Sequence, residues 1–351
     1  MTDKIPVGIL GGTGMVGQRF IQLLEDHPWF ELTEIAASEK SAGKTYEDSM
    51  KGRWRISNEI PEYARKLKVK ECKPNLKCKI TFSALDSSIA GEVEEDFAKA
   101  GYIVASNSSN HRMDKDVPLL IPEINAQHLE LVKTQQKNRK WKGFIVTNPN
   151  CTAIHFNLVL KPLYDSFGLE KVMITSIQAL SGAGYPGVAS LDILDNVIPY
   201  IGREEEKVEE ETKKIFGSIK GNEVKSVPFL VSAQCNRVNV NDGHTECISV
   251  KLGKKAGVNE VISSMKKFNP LKNLKLPSSP ERLIVVMKEE NRPQPKLDRN
   301  VENGMASVVG RIRPCSILDY KFVVLGHNTI RGAAGASILN AELMKVKGYL
   351  E

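Results

Sequence analysis

The segment from Ile5 to Gly17 constrains the fold more than any other stretch of the chain. Ile5 to Leu10 is a short apolar run of the kind that forms a buried strand. Gly11-Gly12-Thr13-Gly14-Met15-Val16-Gly17 follows, and then an amphipathic segment from Gln18 to Glu25. Gly12, Gly14 and Gly17 meet the G-x-G-x-x-G spacing; Gly11, Gly14 and Gly17 meet G-x-x-G-x-x-G. Glycines are needed where the chain turns sharply and its backbone must touch a pyrophosphate resting on a helix N-terminus. A bland tight turn can meet the same spacing. Its place directly after a strand and at the opening of a helix favours a dinucleotide site, with Gly11, Gly12, Thr13, Gly14, Met15 and Val16 at the cofactor.

The second strand is expected over Glu31 to Ala37. An NAD site usually ends that strand with an acid on the ribose hydroxyls. Here it ends Ala36-Ala37-Ser38, with Glu39, Lys40, Ser41 and Lys44 beyond. Hydroxyls and lysines suit a 2′-phosphate, so Ser38 and Ser41 point to NADP, with Glu39 arguing the other way. Strand and helix then alternate: strand Lys79–Ala84, helix Ile89–Ala100, strand Tyr102–Ala105, helix Asn125–Gln136. That alternation implies a doubly wound parallel sheet. Ser83, Ser106 and Asn107 would lie at strand C-terminal ends, either at the ligand or as ordinary loop groups.

The chemistry is placed at Thr147-Asn148-Pro149-Asn150-Cys151-Thr152-Ala153. Phe144 to Thr147 reads as the end of a buried strand, Asn148-Pro149 as a turn, and Asn150 as an N-cap. A helix is expected from Cys151 to Leu163, with Pro162 near its end. Cys151 at the first helical position would have its thiolate favoured by the free N–H groups and the helix dipole. A thiolate can attack a carbonyl; a structural cysteine in a tight turn is the plain alternative. A base could come from His155, four residues on and sharing a helix face, or from His244 in the turn Asn241-Asp242-Gly243-His244-Thr245-Glu246.

The texture changes after Leu163. Strands are expected over Val172–Ala179, Cys247–Leu252, Leu283–Met287, Ser307–Arg313 and Lys321–Leu325, with a charged surface helix at Glu204–Lys214. Long strands with few helices between them suggest a mixed or antiparallel sheet on one layer of helices. The dinucleotide domain is expected at 1–150 plus a returning C-terminal helix, 331–351, and a catalytic and dimerisation domain at 151–330. A sheet exposed on that second domain needs covering, so a homodimer or homotetramer is expected.

The net charge of +7 is dispersed among acidic residues, which argues against a nucleic-acid partner and for anionic ligands. No apolar run is long enough to span a bilayer, no signal peptide precedes the first strand, and none of the six cysteines forms a C-x-x-C pair. These features point to a cytoplasmic protein without a membrane partner.

Taken together, Gly11 to Gly17, Ser108-Ser109-Asn110-His111-Arg112, Asn150-Cys151-Thr152, Gln178 to Gly184, Ser232 to Val238, Asp242 to Glu246 and Gly326-His327-Asn328-Thr329 resemble the aspartate-β-semialdehyde dehydrogenases of archaea and fungi. The resemblance implies a glyceraldehyde-3-phosphate dehydrogenase-like arrangement. It implies NADP-dependent reductive dephosphorylation of β-aspartyl phosphate, or its reverse, in the synthesis of lysine, threonine, methionine and isoleucine, with no metal. Cys151 would carry the acyl-thioester, His244 would be the acid/base, and Gln178 would orient the acyl group. Arg237 would grip the α-carboxylate, and Glu204, with Glu205 and Glu206 as alternatives, the ammonium. Arg112 and Lys207 would hold phosphate, with Asn150 nearby. Ser181, Gly182, Gly184 and Asn328 would line the nicotinamide end. Two rivals differ in substrate or class. A malonyl-CoA reductase would need no ammonium or phosphate site. A non-catalytic dinucleotide-sensing regulator would need no cysteine at a helix start.

Overall fold

In the computed structural model, which describes residues 4–350, six parallel strands form the first sheet. They are β1 (Ile5–Leu10), β2 (Phe30–Ala37), β3 (Val69–Glu71), β4 (Ile80–Ser83), β5 (Ile103–Ser106) and β6 (Phe144–Thr147), in the order β3-β2-β1-β4-β5-β6. β4, β5 and β6 are buried at every position, because helices cover both faces of a parallel sheet and force near-continuous apolar runs. One face packs Val7, Ile9, Phe20 and Phe82 against Leu339 and Met344 of the C-terminal helix. The other packs Leu10, Phe97, Val104 and Ile145. The strand order reverses between β1 and β4, which opens a crevice at their carboxyl ends.

The remaining strands are β7 (Leu169–Gln178), the hairpin β8 (Ser218–Lys220) with β9 (Glu223–Lys225), β10 (Leu230–Arg237), β11 (His244–Leu252), β12 (Ile284–Val286), β13 (Ser307–Pro314) and β14 (Tyr320–Gly326). All but the hairpin join one mixed sheet, β10-β7-β11-β14-β13-β12. β10 alternates exposed and buried residues, as a strand with one covered face must. The helices Cys151–Phe167, Glu204–Ile215 and Val258–Lys267 supply the cover. On strands of the opposite face Met173 and Leu230 are more than half exposed.

Several elements depart from the sequence expectation. The helix from Cys151 continues through Pro162 to Phe167. Pro162 deprives one carbonyl of its donor, yet residues 152–160 are buried throughout, and that packing outweighs the lost bond. Gly168, at φ 71°, ends the helix instead. The helix expected over 125–136 is broken into Pro122–Asn125, a 3₁₀ segment Ala126–Glu130, and Leu131–Arg139. Asn125 explains the break: its side chain accepts from the Ile121 N–H and donates to the Leu119 carbonyl, competing with helical hydrogen bonds. The C-terminal helix opens as a π turn, Ile330–Ala334, before Gly335–Val346. β3, β10 and the β8–β9 hairpin are strands beyond those the sequence pattern marks. The "surface" helix Glu204–Ile215 buries Glu204, Val208, Glu211 and Lys214.

Candidate active site

A cleft of about 850 Å³ lies between the two sheets. Gly11, Thr13, Gly14 and Ser38 line one end; Cys151, Gln178, Glu204 and Arg237 line the other. At the first end Gly11 has φ +81°, and a Cβ there would sit 2.6 Å from the Ala84 carbonyl oxygen, so only glycine fits. The amides of Gly11 and Gly12 are both donated to the Ala36 carbonyl. The donors open to an anion are therefore the first N–H groups of helix Met15–Leu23, where Met15 and Val16 line the cleft. These residues fit a dinucleotide pyrophosphate.

Three expected cofactor residues do not line the cleft. Gly12 packs behind the turn, where a Cβ would strike Ile35. Ser41 is buried, its amide turned to the Ser38 carbonyl and its carbonyl accepting from the Ser49 hydroxyl. Ser83 is fully buried within β4. Ser38 is exposed on the cleft wall; Glu39, Lys40 and Lys44 lie outside the lining.

At the other end Asn150 caps the helix, its Oδ1 accepting from Thr152 N and Ala153 N at 2.9 and 3.3 Å. Cys151 Sγ lies 3.2 Å from His244 Nε2. His244 is the first residue of β11 rather than part of a turn, and is fully buried. Its Nδ1 accepts the Ala179 N–H at 3.0 Å, so in the neutral ring the hydrogen sits on Nε2, facing the sulfur. Burial, with Arg237 nearby, holds the His244 pKa well below its usual value. His155 is not at the sulfur: its Nδ1 meets Ser307 Oγ at 3.0 Å in the core, and burial lowers its pKa to about 3.

The expectation that the helix start alone makes Cys151 a thiolate needs correction. Burial pushes the Cys151 thiol up to about 12, and Glu204 adds to the rise. Arg237, Arg112 and the Thr152 N–H act in the opposite direction. The helix terminus is one of several opposing influences, and desolvation outweighs it.

Each charged group is held in place by its own hydrogen bonds or ion pair. Glu204 Oε1 accepts from Asn150 Nδ2 at 2.8 Å and Gln178 Nε2 at 3.2 Å, and Lys207 Nζ stands 3.9 Å from Glu204 Oε2. Glu205 accepts from the Cys235 N–H instead, and Glu206 does not line the cleft, so Glu204 is the acid in place. Arg237 donates through Nη1 to the Ala179 carbonyl at 2.7 Å. A Cβ on Gly182 would come within 2.8 Å of that nitrogen and 3.2 Å of His244 Cε1, so a side chain there would press on both groups. Asn328 donates to Ser181 Oγ at 2.8 Å and accepts from Gly243 N at 2.9 Å, tying that loop to the start of β11. Arg112 donates to Glu211 Oε1 at 2.9 Å and to the Asn107 carbonyl at 2.7 Å. Sequence reasoning missed Glu211 and Lys214. Their 3-4-3 spacing with Glu204 and Lys207 places all four on one helix face and was the available signal.

A doubly wound sheet with its glycine turn, joined across a cleft to a mixed sheet carrying a cysteine–histidine pair, defines a nucleotide-linked dehydrogenase of the semialdehyde type. Residues 6–132 match the semialdehyde dehydrogenase NAD-binding domain and residues 160–331 the semialdehyde dehydrogenase dimerisation domain. The chain is 55% identical to an aspartate-semialdehyde dehydrogenase of Archaeoglobus fulgidus, over 97% of this chain and 98% of the relative. The aspartate-semialdehyde dehydrogenase of Candida albicans, solved with NADP, superposes with a TM-score of 0.90 at 43% identity, covering 99% of both chains. The Vibrio cholerae aspartate semialdehyde dehydrogenase II, solved with ASA, superposes with a TM-score of 0.78 at 26% identity, over 99% of this chain and 100% of the other. The chain belongs to the aspartate-semialdehyde dehydrogenase family.

Proposed function

We propose that the chain interconverts aspartate semialdehyde plus phosphate with β-aspartyl phosphate, NADP-linked, through a thioester on Cys151. The observation that carries this reading is the 3.2 Å Cys151–His244 contact in a cleft that also holds Arg112, Lys207 and Arg237. In the oxidative direction Cys151 Sγ, its thiol proton released to solvent and the resulting charge faced by His244 Nε2–H, Arg237 and Arg112, adds to the aldehyde carbon, and the carbonyl electron pair moves onto oxygen. His244 Nε2–H is placed to donate to that oxygen as charge develops on it, and to take the proton back as the hydride leaves the carbon and the C=O bond re-forms. The glycine turn and Ser38, with Ser181 and Asn328 at the far end, would hold a nicotinamide cofactor, which would take the hydride in this direction and supply it in the reverse one. Phosphate then attacks the thioester carbon; the C–S bond breaks and its electron pair returns to Sγ. Arg237 suits the α-carboxylate, since a guanidinium can hold it through two hydrogen bonds. Glu204 suits the ammonium, while Arg112 and Lys207 suit phosphate and Gln178 orients the acyl group.

Lys207→Ala and Arg112→Ala should each raise the KM for phosphate by roughly tenfold or more, the effect of losing a charge-assisted hydrogen bond worth about 1.5–3 kcal/mol. The KM for NADP should stay within about twofold. Unchanged phosphate KM values, together with efficient reduction of malonyl-CoA by the wild type, would overturn this reading in favour of a coenzyme A thioester reductase.

Cofactor preference is tested at Ser38. Ser38→Asp places a carboxylate where the 2′-phosphate would lie. It should raise the KM for NADP by at least about tenfold, the factor that ~1.4 kcal/mol of charge repulsion produces, and shift use toward NAD. Equal use of NAD and NADP by the wild type would refute the assignment.

The division into domains at 1–150 with 331–351, and 151–330, is proposed on the same basis. A homodimer or homotetramer is inferred from the exposed Met173 and Leu230 beside a matched dimerisation domain. A cytoplasmic setting is supported by six cysteines without a disulfide among them.

A further inference from the structure

Glu211 lies on the helix Glu204–Ile215, one face of which carries Glu204, Lys207, Glu211 and Lys214. It is 1% exposed, and both of its oxygens are engaged. Oε1 accepts from Arg112 Nη1 at 2.9 Å, and Oε2 accepts from the Asn150 backbone N–H at 2.6 Å. One carboxylate therefore joins two segments far apart in the chain: the loop that bears Arg112, and the residue that caps the helix of Cys151. The same helix grips that loop a second time. Lys214 Nζ donates to the carbonyls of Arg112, Asp114 and Val117 at 2.7, 2.7 and 2.9 Å. Arg112 is thus held by its main chain from Lys214 and by its side chain from Glu211, with the Asn107 carbonyl taking Nη2.

We infer that Glu211 is a positioning residue: it sets the Arg112 guanidinium at a fixed place relative to Cys151, so that an anion approaching the thioester meets an already oriented donor. The inference rests on the reading of Arg112 as a phosphate ligand. A long arginine side chain free to sample its rotamers must be ordered when the anion arrives. One clamped beforehand needs no reorganisation at the moment of reaction. Burial raises the Glu211 pKa, while Arg112 and the Asn150 N–H oppose the rise, so the carboxylate and the guanidinium depend on each other. Glutamine keeps one acceptor oxygen but presents an NH₂ group where the second oxygen was. It cannot accept from Arg112 and Asn150 through separate atoms. Aspartate keeps the charge but is one methylene too short to reach both partners at these distances.

The test is a double-mutant cycle on kcat/KM for phosphate, measured in the oxidative direction with aspartate semialdehyde and NADP⁺ saturating. Arg112→Ala should lower it by about 10–100-fold and Glu211→Gln by roughly tenfold. The double variant should be no worse than Arg112→Ala alone, because Glu211 acts through Arg112. Glu211→Asp should fall in the same direction as Glu211→Gln, and it carries the cycle if the glutamine variant does not fold. The KM for NADP should stay within about twofold in each variant, which a general loss of structure would not spare. Multiplying effects in the double variant, or wild-type phosphate kinetics in Glu211→Gln, would overturn the inference. Wild-type protein that turns over without phosphate would instead overturn the assignment of the reaction, whatever the cycle shows.

Discussion

Replacing Cys151 with alanine is expected to remove turnover, with a loss on the order of 10⁵–10⁶-fold, the scale seen when a nucleophile is deleted from a site whose groups act together. The residues that fit the cofactor pyrophosphate lie on the other sheet, at Gly11, Gly14 and the start of helix Met15–Leu23. NADP affinity, measured by titration calorimetry, should therefore change by no more than about twofold. The reactivity of the thiol follows from its surroundings. Burial pushes Cys151 up to about 12, against the pull of Arg237 and Arg112. Cys315 is drawn below its usual range by hydrogen bonds from the backbone of Leu318 and Ile317. Alkylation of the free protein by iodoacetamide at pH 7, followed by peptide mass spectrometry, should modify Cys315 before Cys151. Turnover in Cys151→Ala above about 1% of wild type would remove the nucleophile assignment. Preferential labelling of Cys151 would show that the two guanidiniums outweigh burial.

What could be read from the chain alone follows from how local each signal is. The glycine turn, the Asn150 cap and the alternation of strands and helices in the first half are written in consecutive residues, and the sheet order β3-β2-β1-β4-β5-β6 carries that pattern into three dimensions. The break at Asn125 and the continuation of the helix past Pro162 to Phe167 were not legible. One depends on a side chain serving backbone groups four to six residues back. The other depends on burial dense enough to carry a helix through a proline. The site divides in the same way. Cys151 and the glycines stand out by spacing. Spacing alone left His244 and His155 both open and the family resemblance pointed to His244; the fold supplies the physical reason, because the placement of β11 beside the start of the Cys151 helix brings residues 93 apart to 3.2 Å. Glu211 is one acid in the run Glu209-Glu210-Glu211 and has no sequence mark of its own. Its distinction is that two distant donors converge on it. Ser41 and Ser83 failed for the opposite reason. Both sit near strand ends where a ligand would be, and both turn into the interior.

The contrast between the two histidines yields the other large expected effect. His244→Asn should lower the chemical step by about 10²–10⁴-fold, the usual contribution of a positioned acid–base group. Asparagine Oδ1 can occupy the place of Nδ1 and accept the Ala179 N–H, so the fold keeps its hydrogen bond. What is lost is the Nε2–H that faces Sγ. His155→Asn should do the reverse. Its amide can still meet Ser307, but the missing ring atoms leave a gap in a fully buried site. Stability should fall by about 1–3 kcal/mol, with kcat within about threefold. The pH dependence separates the two further. The folded-state pKa of His155 is depressed to about 3. Keeping the ring neutral therefore costs nothing above its unfolded pKa, near 6.5. As the pH falls from there toward 3, the unfolded chain gains a proton that the folded protein refuses. That costs ~1.4 kcal/mol per pH unit. His155→Asn removes this one proton from the slope, so its deficit in urea melts should shrink between pH 7 and pH 5. A fall in kcat for His155→Asn as large as that for His244→Asn would move the acid–base role onto the helix of the nucleophile itself. A deficit that does not shrink with falling pH would show that His155 takes up its proton in the folded state.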